Sequence, residues 1–170
     1  MIPHPLHPAV VHFPIVLMLF LPVLAAVVIW RLHDGAPRRL WGYVVLTAVL
    51  LVVSGVVAKE TGEDQEDRVE QVLASEQPLA AHEDAADMFM VGAWVLLGAS
   101  LIGFAGGLTG KSARLITFLA SAVVVWLGWR VGDRGGKLVY EYGAANAYVQ
   151  SVPTTGGAPA TPTEERDEHR

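Results

Sequence analysis

Four stretches of this chain, residues 13–30, 40–58, 88–110 and 115–129, contain neither a charged residue nor a histidine. A bilayer core takes roughly 17 to 25 apolar residues per helix, so each of the first three predicts a membrane span. The fourth is shorter and reaches the interface if Arg130 snorkels along its apolar stem. Spans of about 9–30, 40–58, 82–108 and 114–131 follow. The predicted fold class is all-α, a four-helix transmembrane bundle over residues 1–150, followed by a disordered tail over 151–170 that is rich in Thr, Pro, Gly and acid.

Between the spans the polar residues are unevenly distributed. The loop at 31–39 holds Arg31, Arg38 and Arg39 against Asp34, and the loop at 111–114 holds Lys111 and Arg114. The connection at 59–87 carries ten acids against Lys59 and Arg68. Basic residues in short loops are retained on the cytoplasmic side, which puts the acidic connection and both termini outside a bacterial cytoplasmic (inner) membrane. Trp30 and Trp41 flank the first basic loop, and Trp126, Trp129, Tyr140, Tyr142 and Tyr148 mark the outer end of the fourth span. In the connection, Asp67–Ser75 predicts a short polar helix, and Pro78 suits the first turn of the third span. Pro14 and Pro22 each remove a backbone donor from the first span and predict bends there.

Composition narrows the chemistry. Four long apolar windows exclude a soluble single-core enzyme, because a chain of this length cannot bury them all within itself. The absence of Cys excludes disulfides, thiolate metal sites and covalently attached haem. With 12 Lys and Arg against 17 Asp and Glu, a net charge of −5, the balance argues against a nucleic-acid partner. No Lys or Arg precedes the first apolar run, so that run reads as a retained span and not a signal peptide.

Histidines supply the densest chemical signal. His4, His7 and His12 lie among four prolines where the first helix enters the membrane, and His82 lies about one turn after Pro78 on the third. Imidazoles from separate helices at one depth suit a porphyrin held between helices, or a metal ion. The leading candidate is b-type haem held by His12 and His82, with His7 the alternative ligand if the bend at Pro14 turns His12 away, and Arg130 pairing with a propionate or with Glu60 or Asp87. Such a protein would exchange electrons with a membrane or periplasmic partner and would not be an enzyme alone. The rival is a divalent transition metal bound by His7, His12, His82 and one of Glu60, Glu83 or Asp87. Structural histidines at an interface are the plain alternative, and His33 and His169 do not read as ligands.

Glu60, Glu63, Asp64 and Asp67 share one face if the second helix continues outward, where they are either solvated or offset by a cation. Gly103 with Gly107, and Gly106 with Gly110, form overlapping GxxxG pairs, for packing within one bundle or for a homo-oligomer seam in a cofactor-free assembly module. Two formal matches fail. His82-Glu83 opens a zinc-protease motif whose second histidine position is Ala86, and Ala105–Ser112 fits a phosphate-binding loop without the strand that loop requires.

The string His7-Pro8-Ala9-Val10-Val11-His12-Phe13-Pro14-Ile15, then Thr61-Gly62, His82, Gly135-Gly136-Lys137-Leu138-Val139-Tyr140 and Tyr142-Gly143, resembles the bacterial "domain of unknown function 2231" family of small predicted membrane proteins. The resemblance covers roughly residues 4–149. It implies redox work at the outer membrane face, because relatives are sometimes joined to Rieske or cytochrome-type domains. It carries over His7, His12 and His82 as candidate site residues, and Thr61, Gly62, Gly135, Gly136 and Tyr140 as structural ones.

Overall fold

A computed structural model describes residues 6–149 of the chain. The expected tail at 151–170, His4 and His169 lie outside the described residues. Seven α-helices occur among these residues, with no strand: α1 His7–Val10, α2 His12–His33, α3 Trp41–Glu63, α4 Glu66–Glu70, α5 Gln77–Ile102, α6 Gly107–Tyr140 and α7 Asn146–Val149, with a single 3-10 turn at Arg38–Leu40. Four segments are long and apolar enough to cross a membrane: His7–His33, Arg38–Glu63, Gln77–Ile102 and Gly107–Tyr140.

The packing follows from the solvent the helices are built for. The outward faces carry large apolar side chains, among them Phe13, Leu19, Phe20, Val53, Val95 and Leu119. Small residues crowd the interior: Ala25, Ala48, Ala93, Ser100, Thr117 and Ser121 are all buried. Between helices in lipid there is little hydrophobic drive, so close approach and dispersion must hold them, and small side chains permit that approach. A Cβ on Gly55 would stand 2.7 Å from Met90 Sδ, and one on Gly92 would stand 2.9 Å from Leu127 Cδ1. The buried hydroxyls bond back to their own helices, Thr117 to the Ala113 carbonyl at 2.8 Å and Ser100 to that of Leu97 at 2.7 Å, so none is stranded in an apolar interior.

Helix adjacency sets the geometry of the site. α2 packs beside α3 and α6, and α5 packs beside the same two helices, so α2 and α5 face each other across a diagonal. The bundle is therefore two helical hairpins, α1–α3 and α5–α6, laid against each other. At the end that holds the described termini, α4, the start of α5, the end of α6 and α7 form a small cap around Val69, Leu79, Leu138 and Ala144. The Tyr148 hydroxyl donates to Gln65 Oε1 at 2.5 Å and its ring receives the Arg68 guanidinium at 5.7 Å.

Three local expectations change. Residues 103–106, not 111–114, make the turn between the third and fourth spans, and Lys111 and Arg114 lie in the first turns of α6. Gly107 supplies the positive φ of 64° that this turn needs, a conformation costly for any residue with a Cβ. Gly103 and Gly107 thus sit on opposite sides of a helix boundary and cannot act as one GxxxG face; Gly103 instead packs under Trp41 of the same chain. The first span loses one bond at Val10, to which Pro14 has no N–H to return, but keeps helical angles at Val11 and continues through Pro22 as helix. The polar helix of the connection is Glu66–Glu70, and α3 ends at Glu63, so Asp67 leaves the face it was expected to share with Glu60.

Candidate functional site

His7 stands at the start of α1, with Pro8 in the first turn where a missing N–H costs nothing. The adjacency of α1 to α3 brings its ring onto the last turns of α3. There His7 Nδ1 meets the Ala58 carbonyl at 2.8 Å, with Thr61 Oγ1 at 3.5 Å. A carbonyl accepts only, so Nδ1 carries a proton, and in the neutral ring Nε2 is the nitrogen with the lone pair. Gly62 makes the room: a Cβ there would stand 3.2 Å from both Cε1 and Nδ1 of the ring.

His82 repeats this arrangement in the other hairpin. It lies near the start of α5, half-buried against α6, with the Val131 backbone carbonyl close enough to act on the ring. A Cβ on Gly135 would stand 3.1 Å from its Cε1 and 3.4 Å from its Nδ1. In each hairpin the histidine near the start of the first helix lays its Nδ1–Cε1 edge against a glycine of the second helix, and of the two rings only His7 makes a hydrogen bond to a carbonyl there. Ala58 with Gly62 matches Val131 with Gly135. The separation from histidine to glycine along the chain is also nearly the same in both halves.

The two histidines belong to diagonal partners, and they lie close enough for a charge on one to be felt by the other. His82 Nδ1 is buried without a hydrogen-bond partner among the described residues. The Arg134 charge acts on His82, and its Nη1 donates to the Ala81 carbonyl at 2.5 Å.

The remaining candidates lie apart from this pair. His12 is exposed on the flank of α2, at a groove between α2 and α3 lined by Val16, Leu17, Leu50 and Val53. Asp87 is paired with Lys59 at 2.6 Å, and Lys59 also reaches Glu63 at 3.4 Å. The expected pairing of Arg130 with Glu60 or Asp87 is therefore replaced: Lys59 on the neighbouring α3 is the nearer cation, and Arg130 lies over the Trp126 ring at 5.1 Å. Glu60 is exposed and Glu83 is half-buried near Glu66. Among the described residues, no three His, Asp or Glu side chains gather within reach of one metal ion.

Reading the chain residue by residue missed Ala58, Val131 and Arg134. The near-equal histidine-to-glycine separations were the signal available in the sequence, because a glycine on a packed helix marks a place where another group approaches closely.

Comparison with known proteins adds the family. The model of the family described as "Predicted membrane protein (DUF2231)" matches residues 3–148, and the chain belongs to that family. No curated protein and no solved structure matches it.

Proposed function

We propose that this member of the DUF2231 family of predicted membrane proteins holds a b-type haem between His7 and His82 and passes electrons to or from a membrane or periplasmic partner. The observation that carries the proposal is the matched seating of two imidazoles on diagonal helices. In each hairpin the Nδ1–Cε1 edge of one ring is turned onto a glycine of the neighbouring helix, and His7 also bonds the Ala58 carbonyl. His7 Nε2 is left as a ligating nitrogen, the arrangement in which a backbone carbonyl fixes the tautomer and orientation of a ligand histidine. A lone divalent ion asks the protein for three or four ligands, whereas a haem iron brings four nitrogens of its own and asks for two. Two convergent histidines without a third ligand therefore favour haem over the metal-ion alternative. His12, directed outward, takes no part, and Arg134 replaces Arg130 as the cation beside the site.

Electron transfer would be the chemistry such a group supplies, tuned by the two histidines, burial and the Arg134 charge. The chain's own task is to orient the two rings.

The test is an optical spectrum of the full chain purified in mild detergent from haem-sufficient cells, oxidised and then reduced with dithionite, with metal analysis on the same sample. A Soret band with sharpened reduced bands is expected, lost in His7→Ala and His82→Ala and kept in His12→Ala. A colourless, folded protein overturns the proposal. The direct bond from His7 to Ala58 then favours a second reading, in which the two histidines are interhelical clamps in a cofactor-free assembly module.

A further inference from the structure

At the end of the bundle away from the histidines, residues 103–106 join α5 to α6, and two guanidinium groups converge on this turn. Arg114, in the second turn of α6, is only 9% exposed and donates from Nη1 to the Gly103 carbonyl at 3.0 Å. Arg38, in the 3-10 turn that precedes α3, brings Nη1 to 3.2 Å from where a Cβ on Gly106 would stand, so the bare glycine admits it. The two side chains are near enough for each to act on the other's charge.

No carboxylate among the described residues lies within ion-pair distance of either. Among the described residues the ion pairs are Lys59 with Glu63 and Asp87, and Lys137 with Asp133, all at the other end of the bundle. Helix ends do not compensate either. The half negative charge where α5 stops, about −0.5, is matched by about +0.5 where α6 starts, and α2 and α3 cancel in the same way. Two positive charges, one of them buried, are thus held against one turn with no ion-pair partner among the described residues.

We propose that this turn binds a phosphate group, either the headgroup of an anionic phospholipid or free phosphate, with Arg38 and Arg114 as its donors. A guanidinium offers a planar fork of N–H groups that fits phosphate oxygens two at a time. The first turn of α6 begins beside them, and its leading N–H groups have no carbonyl within the helix to bond. Exposed Lys111 and Arg39 extend the positive surface around the turn. A turn between two apolar spans also lies at the depth where lipid headgroups sit, and basic pockets between spans take such groups.

The experiment is thermal unfolding of the full chain in detergent, titrated separately with phosphatidylglycerol and with inorganic phosphate, for wild type, Arg38→Gln and Arg114→Lys. Arg38 is exposed, so its variant tests binding without burdening the fold. The Arg38→Gln change is expected to weaken the apparent affinity about tenfold, the scale of one charge-assisted hydrogen bond, with a smaller loss for Arg114→Lys. Stabilisation by phosphatidylglycerol alone identifies a lipid headgroup, and stabilisation by both identifies the phosphate group itself. No stabilisation by either probe, or a response that Arg38→Gln leaves unchanged, overturns the proposal.

Discussion

At the histidine end of the bundle the polar groups are imidazole rings laid against helix glycines, with a small cap of short helices at the same end. At the turn end they are guanidiniums, Arg114 buried and Arg38 exposed. Carbonyls can satisfy a neutral ring within the protein, whereas a guanidinium brought to a carbonyl still carries its charge into a low-dielectric setting. His7 is therefore satisfied by its own chain while His82 Nδ1 has no partner among the described residues, and the two guanidiniums at the turn end are what the proposed anion would neutralise. Glycine serves both ends differently: Gly62 and Gly135 make room for a ring, while Gly103 makes room for the whole Trp41 indole.

That contrast can be broken by adding side chains where none exists. The largest effect is expected at Gly103, where any Cβ would strike the fully buried Trp41 and disturb its 2.7 Å bond to the Ser100 carbonyl. Gly103→Leu should cost about 3 kcal/mol or more, the upper range for overpacking, in denaturant unfolding monitored by tryptophan fluorescence. Gly98→Leu, into open space, is the control and should cost almost nothing.

The next effect sharpens the equivalence of the two histidine seats. Gly62→Ala and Gly135→Ala each push a methyl to 3.1 or 3.2 Å from a ring that can yield by a few tenths of an ångström. Each should cost about 1 kcal/mol, in nearly equal amounts, measured in the same way. A large inequality between them would show that only one histidine is held by its glycine.

The smallest effect concerns the cap. Tyr148→Phe removes the hydroxyl that meets Gln65 and should cost about 1 kcal/mol. Burial raises the Tyr148 hydroxyl above its ordinary pKa of 10.0, against the opposing pull of the Arg68 charge. Folding thus favours the protonated phenol, so this contribution is complete below pH 10 and falls as pH rises through the raised value. Amide exchange in α4 and α7 should quicken above that pH in wild type, with a weaker dependence in Tyr148→Phe.

Much of the architecture was legible because bilayer thickness imposes a length on apolar runs. All four spans were predicted, and Pro78 was placed in the first turn of the third, as observed. Boundaries set by charge were less legible. Lys111 and Arg114 read as loop residues, yet a long basic side chain can lie along a helix and reach the helix end, as Arg114 does to Gly103. The candidate site was legible as a set of histidines near one end, and not as a pair. His7 and His12 are five residues apart on one helical segment and so face different ways, and which of them meets α3 depends on how that segment is rotated against it.

By itself, the sequence determined that this is a helical membrane protein of its family, because hydrophobic length, the proline at the start of the third span and the HPAVVHFPI string are properties of contiguous residues. Only the tertiary structure decided that His7 faces a carbonyl while His12 faces outward, that Asp87 belongs to Lys59, and that Arg38 and Arg114 meet at one turn. Those outcomes depend on the rotation of each helix about its axis and on which helix stands beside it. Spans that are apolar on their outward faces carry almost no record of that rotation, since lipid accepts one apolar side as readily as another.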